Sequence, residues 1–564
     1  MIGLIRENKA KAAVFFGGLA LYAAAFLPRA ALSEAFSRYT FYCLLALFAA
    51  LAAAITSFVA KRREELPAFW AANRRGFLFS LALAGLIFAA APPSFRILSD
   101  ETNLLGVSKS MFSERRVDNP TMGKWYYFNL QVLNREREKR PYAYPFAVFA
   151  AHALTGYRPA NAFAVNFVLL VLLFCGVFAF FRGLYGPAPA YAAVLLAAAQ
   201  PLLALNATSG GMDFMYAALI FFAFLALREF LRDGTPESSG LLLALLLTLA
   251  NTRYEGPLFL AVAGAGLLLA RRLKASDLAT WPFAVLPLAL LPAVLQRFCF
   301  PMNFENGAGV APFSVVNLVK NTVSFFLLQF DASFFYPYAQ LTDLAGLVSA
   351  AGLFRRFFSR GGKESGDRLL LGISAGGLAL YWLVTCLYYF GDPAHQASAR
   401  LFLPAALTLS LLAAGLLARL SGGRALPALL PAAALFLLYA PEAAENRFYN
   451  NLFLGREYRH EAAFLERLGD RHLLVISDRP GQFTVLDYGA VDFSYARRAY
   501  AELAEERSRH LYGRVIVFQE IEYASGLPTA ATELPAEYRL EPLLERQNTA
   551  DSFLRISEVK FPAP

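Results

Sequence analysis

Apolar residues fall along this chain in long runs, separated by short clusters of charge. A helix needs roughly 20 apolar residues to cross a hydrocarbon core about 30 Å thick. About thirteen runs approach that length, at roughly 12–27, 40–60, 77–91, 162–181, 188–205, 214–231, 240–251, 257–270, 279–300, 336–358, 369–390, 401–417 and 425–440. After residue 440 the pattern changes. His472-Leu-Leu-Val-Ile-Ser477 and Arg514-Val-Ile-Val-Phe518 read as short buried strands, and 458–468 and 500–510 carry helical apolar spacing mixed with charge. The pattern predicts an all-α polytopic membrane protein of about thirteen transmembrane helices, with a small C-terminal α/β domain. Three parts follow: 1–76, with two additional N-terminal spans and a basic loop; 77–440, a transmembrane module with a long loop at 92–161; and 441–564, the α/β domain. The first run follows Arg6, Lys9 and Lys11, so a signal peptide is the alternative reading there.

Composition supports a membrane chain. Of 564 residues, 57% are hydrophobic and 17% charged; a soluble domain carries about 25% charge. The net charge of +10 resolves by loop. Lys61-Arg62-Arg63 with Arg74-Arg75, Arg271-Arg272, Arg355 through Arg368, and Arg419 with Arg424 all fall on one side, which gathers about +12, while the tail carries about −5. The positive-inside rule makes the first side cytoplasmic, with the N-terminus inside and the C-terminal domain outside. The basic balance is then no sign of nucleic acid. Cys43, Cys175, Cys299 and Cys386 lie in or beside apolar runs without CxxC spacing, which argues against a disulfide framework or a thiolate metal site. No phosphate-binding glycine loop precedes a helix, and no repeat of solenoid period occurs.

The candidate chemistry lies in the outer segments. In the 92–161 loop, Asp100-Glu101 opens a helical pattern, and Glu138-Lys139-Arg140-Pro141-Tyr142 closes a basic stretch. Adjacent carboxylates at a helix start are also good caps, so a structural role competes with a catalytic one. Asp213 begins one span, Arg253 and Glu255 lie in the turn before another, and Arg400 begins a third. Ionisable groups at the edge of apolar runs face a cavity or a partner, or else anchor at the interface. Guanidinium groups suit a phosphate because they bind two oxygens at once. A divalent metal is compatible with outer carboxylates, His152 and His395, but no spacing requires one.

These residues, in this order, resemble the GT-C glycosyltransferases, nearest to the protein O-mannosyltransferases and lipid A aminoarabinosyltransferases. Asp100-Glu101-Thr102 is similar to the acidic opening of that family's first large periplasmic loop, and Glu138-Lys139-Arg140-Pro141-Tyr142 to its Glu-Lys-Pro-Pro-Leu segment. Gly211-Met-Asp213 resembles the start of a middle span. Leu249 to Pro257 looks like Leu-Thr-Lys-Gly-Pro with Arg253 in the Lys place, and Arg400-Leu-Phe-Leu-Pro404 is similar to Arg-Tyr-x-Leu-Pro. Asn103 stands where the aminoarabinosyltransferases carry a basic residue, and two spans precede the family's usual first one. The resemblance covers roughly 77–417. It implies a bacterial inner-membrane enzyme that moves a sugar from a polyprenyl-phosphate donor to an acceptor hydroxyl on protein, lipid or glycan, with inversion. Asp100 would be the base and Glu101 would help place the acceptor or the donor sugar. Lys139, Arg140 and Arg400 would hold the lipid phosphate, with Glu138, Asp213 and Arg253 in the same substrate-binding set. The rival readings are a flippase of lipid-linked sugars and another GT-C reaction such as glycan polymerisation.

Overall fold

The computed structural model describes residues 8–127, 129–299, 311–333, 335–359, 365–450 and 452–561. Arg6, residues 301–310, and residues 360–364 of the basic stretch from Arg355 to Arg368 lie outside the described residues. The chain forms two compact units. One comprises 1–94, 139–147 and 162–448; the other comprises 95–138, 148–161 and 449–564. This division cuts across the linear boundaries expected at 76 and 440, because most of the 92–161 loop belongs with the tail.

The first unit is helical and makes this a multi-pass membrane protein. Among the described residues, eight helices are long and apolar enough to span, or nine if a bent pair counts as one span. The expected thirteen runs include others that fall short. Pro236–Ala250 and Gly256–Leu269 have 15 and 14 residues, about 22 Å of rise. Leu66–Ala90 and Gln340–Ser359 are longer, but their charges, Arg74-Arg75 and Asp343 with Arg355-Arg356, break the apolar stretch. The run at 188–205 splits into Pro187–Ala198 and Pro201–Ala207, bent by 73°. Pro201 has no N–H to continue the first helix and starts the second at a position where none is needed. Two short apolar helices, Ala143–Thr155 and Val315–Leu328, occupy segments that the sequence reads as loop. Along the long helices, Leu45, Ile55, Leu78 and Leu172 are exposed, as side chains facing lipid are.

The second unit is built on a seven-stranded sheet: β1 (Asp118–Tyr126), β2 (Asn129–Arg137), β3 (Leu473–Ile476), β4 (Gly489–Val491), β5 (Arg514–Glu522), β6 (Arg539–Gln547) and β7 (Ser552–Lys560). Their order is β2-β1-β4-β3-β5-β7-β6. The centre is parallel, β4 and β5 both running with β3, and an antiparallel hairpin lies at each end. β3 and β5 are the two strands expected from the sequence. Their apolar runs are continuous because both faces are covered. Leu474, Ile476, Val515 and Val517 enter one core, and Leu473, Val475, Ile516 and Phe518 the other.

The β1–β2 hairpin comes from the 92–161 loop, more than 300 residues from the rest of its sheet, and joins it where Gly123 pairs with Ala490. Side chains reinforce the join. Lys124, 5% exposed, donates to Glu502 at 2.6 Å and Glu506 at 2.7 Å. Lys109 donates to Asp487 and to the Thr484 carbonyl, and Trp125 Nε1 donates to the Asp487 carbonyl. Residues 95–138 and 148–161 of the first long loop therefore fold as one body with the tail.

Candidate functional site

The candidate residues fall in both units. In the sheet unit, Asp100 is the first residue of the helix Asp100–Glu114. Ser99 makes no side-chain cap there. Glu101 does different work. It is 1% exposed, and its carboxylate accepts from the backbone N–H groups of Arg96 and Ile97, each at 3.1 Å. The adjacent acids thus separate: Glu101 turns inward and ties down the 96–99 turn, while Asp100 stays partly exposed. Burial pushes the Arg96 guanidinium down to about 10, with Glu101 opposing. The helix is seated closely on β1, since a Cβ at Gly106 would come within 1.9 Å of Asn119 Oδ1. Glu138, at the end of this segment, is buried at 3% exposure.

His152 is fully buried, and its ring is bonded on both sides, with Ser108 Oγ 3.1 Å from Nε2 and Asn161 Nδ2 2.8 Å from Nδ1. It is therefore a structural link and is not available as a metal ligand. Among the described residues no group of three or more His, Cys, Asp and Glu could hold a metal ion. Burial pulls the His152 pKa down to about 4, partly offset by Asp487. The neutral ring is the folded form. Its stabilisation is complete above the ordinary value near 6.5 and is lost as pH falls from there through about 4. Acidification over that window should cost the sheet unit up to about 3 kcal/mol. His152→Gln should flatten the dependence in a pH series of thermal unfolding; an unchanged slope would remove His152 as its source.

In the helical unit, three of the predicted residues converge. Asp213 is the first residue of Asp213–Asp233, Glu255 is the N-cap of Gly256–Leu269, and Arg400 lies in the short turn leading into Leu403–Leu420. Helix N-termini carry partial positive charge and favour anions. The Asp213 carboxylate accepts from Arg253 and lies 3.3 Å from Arg400. Arg253 Nε also donates to Glu255 at 3.1 Å. Arg253, Asp213 and Arg400 are 6%, 3% and 9% exposed. The Arg253 guanidinium lies 5.7 Å from the centroid of Tyr216, whose ring packs against Tyr381. The result is two guanidinium groups held side by side by one carboxylate, within an aromatic wall.

Local sequence builds this turn. Gly256 is needed because a Cβ would meet the Leu249 carbonyl at 2.1 Å. Asn251 Nδ2 donates to the carbonyls of Leu247 and Ala289, and the Asn251 carbonyl receives Ala143 N–H at 2.8 Å. That last bond brings in the 139–143 segment. The Lys139 carbonyl accepts from Tyr254 Oη and from Gln296 Nε2. The Lys139 side chain is exposed and Arg140 half-buried. Backbone bonds thus fix two further cations against the Asn251–Glu255 turn that carries Arg253. Tyr216, Tyr254, Gln296 and Tyr381 carry no motif in the sequence. The one signal toward them is that Tyr254 lies between Arg253 and Glu255.

Solved structures similar to this chain include two of ArnT and one of an oligosaccharyltransferase. The crystal structure of ArnT from Cupriavidus metallidurans in the apo state covers 85% of this chain and 97% of its own, at 12% identity and a TM-score of 0.44. ArnT from the same organism bound to undecaprenyl phosphate has the same coverage, at 13% and 0.42. The Archaeoglobus fulgidus oligosaccharyltransferase in the apo form covers 79% of this chain and 69% of its own, at 14% and 0.42. No family model and no curated protein matches the chain.

Proposed function

We propose that this protein is an inverting glycosyltransferase that moves a hexosyl or pentosyl group from a polyprenyl-phosphate donor to an acceptor hydroxyl at the outer face of a bacterial inner membrane. The observation that carries this reading is the buried Arg253–Asp213–Arg400 constellation, fixed where helix N-termini meet and flanked by the 139–140 segment. A dianionic or diester phosphate is the natural partner of paired guanidinium groups.

In this reading Asp100 takes the proton of the acceptor hydroxyl, and the oxygen attacks the anomeric carbon as the bond to the phosphate oxygen breaks. The polyprenyl phosphate departs with its electron pair, and Arg253, Arg400, Lys139 and Arg140 stabilise the charge it gains. Asp213 holds the two guanidinium groups side by side. Glu101 is a positioning residue: it fixes the turn from which Asp100 emerges. The charged loops orient the N-terminus toward the cytoplasm and the sheet unit outside. The acceptor is a protein, a lipid or a glycan.

The purified protein in vesicles, given a sugar-charged polyprenyl phosphate and a panel of hydroxyl acceptors, should release polyprenyl phosphate and form product in equal amounts, with the anomeric configuration inverted. Movement of intact donor across the bilayer without release would replace this reading with a flippase.

A further inference from the structure

A second cationic cluster lies in the sheet unit, on the helix Phe453–Leu468. Arg456, Arg459 and His460 occupy one stretch of it, and Arg546 of β6 reaches them, with Nη1 2.7 Å from His460 Nδ1. Opposite Arg456 is Asn548, whose carbonyl accepts from Arg456 Nη2. The polar valences of this cluster are incompletely filled. Arg456 Nε and both side-chain polar atoms of Asn548 are buried without a hydrogen-bond partner among the described residues, although Asn548 is 3% exposed. Arg459 makes no ion pair or hydrogen bond among the described residues. Buried donors are satisfied in nearly all native structures, so Arg456 Nε and Asn548 Nδ2 together point to a missing acceptor.

Charge points the same way. Burial and the neighbouring Arg546, Arg459 and Arg456 together hold the His460 pKa below its usual value, and Arg459 is lowered by burial and by Arg456. Of the carboxylates of this helix, Glu457 pairs with Arg479 at 3.1 Å, and Glu461 is buried beside Glu457 and Asp478, with Arg479 as the neighbouring cation. The cluster also adjoins the turn before Asp100: a methyl on Gly455 would lie 3.4 Å from Arg459 Nη1 and 3.5 Å from the Arg96 carbonyl.

We propose that Arg456, Arg459, His460, Arg546 and Asn548 form a binding site for a phosphate group. The oxygens would take up the free Arg456 Nε, the Arg459 guanidinium and Asn548 Nδ2, and would relieve the repulsion among the cations. The site is independent of sugar transfer and of the Arg253–Arg400 pair. Its phosphate belongs either to a soluble phosphate ester or to a lipid headgroup.

Arginine footprinting on the full-length protein tests this without a transfer assay. Phenylglyoxal modification of Arg456 and Arg459, read by peptide mass spectrometry, should slow in inorganic phosphate relative to chloride of equal ionic strength, by about tenfold once phosphate reaches about nine times its dissociation constant. Asn548→Leu, which keeps every charge, should remove most of that protection, and Arg459→Gln should remove the protection of Arg456. Protection in phosphatidylglycerol vesicles without added phosphate, absent in detergent, would identify a lipid headgroup as the source; protection by phosphate in detergent would identify a soluble ester. Equal rates in phosphate, chloride and both lipid conditions would overturn the proposal, as would phosphate protection that Asn548→Leu leaves intact.

Discussion

Asp100→Asn abolishes sugar transfer from a polyprenyl-phosphate donor and leaves expression, membrane insertion and the unfolding midpoint unchanged. The substitution is isosteric and removes the carboxylate's charge and with it the ability to take a proton. Loss of a positioned general base costs about 10²- to 10⁴-fold in rate. Folding is spared because the turn before Asp100 is held by its neighbour, through two backbone bonds to the Glu101 carboxylate. The contrast makes the test sharp. Glu101→Gln weakens a buried, charge-assisted pair of bonds, so it should lower stability as well as rate, whereas Asp100→Asn should lower rate alone. Wild-type turnover by the Asp100→Asn enzyme in vesicles of known orientation would end the assignment of Asp100 as base.

Arg253→Leu is expected to destabilise the helical unit by about 3–5 kcal/mol, the usual cost of leaving a buried charge without its partner. Arg253 is 6% exposed, and its loss leaves Asp213 with Arg400 alone and deprives Glu255 of the partner it meets at 3.1 Å. The double change Asp213→Leu with Arg253→Leu should recover at most part of the loss, since it removes both ends of one buried pair but takes the Asp213 carboxylate from Arg400. SDS-induced unfolding of the detergent-solubilised protein measures both. A loss below about 1 kcal/mol, as for an exposed pair, would mean that the cluster is solvated and not a packed site. The same Arg253→Leu variant should bind polyprenyl phosphate more weakly, and Arg253→Lys should restore stability better than binding, because one ammonium cannot replace a two-pronged donor.

Much of the architecture was legible along the chain. The apolar runs located most of the helices, and two short apolar segments located β3 and β5, because burial on every side of an element leaves a local mark in composition. Asp213, Arg253 and Arg400 also stood out locally, as charges set against apolar runs. Length was less legible: 14- and 15-residue helices, and one bent by 73°, look like full spans when only hydropathy is counted. The β1–β2 hairpin was hidden for another reason. Asp118–Tyr126 contains Pro120 and Gly123 and lacks alternation, so its pairing is set by partners far along the chain.

By itself the sequence determined what each segment prefers to be surrounded by, lipid, water or a packed core, because that preference is a property of the side chains present. Only the tertiary structure decided which of the charged residues work together. It divided Asp100 from Glu101 by turning one carboxylate onto backbone amides, gathered Asp213, Arg253 and Arg400 from turns some 190 residues apart into one buried group, and joined a loop near the start of the chain to the sheet at its end. Ion pairs, hydrogen bonds and strand pairing are set by proximity in space, and hydrophobic periodicity carries no information about which distant segment will supply the partner.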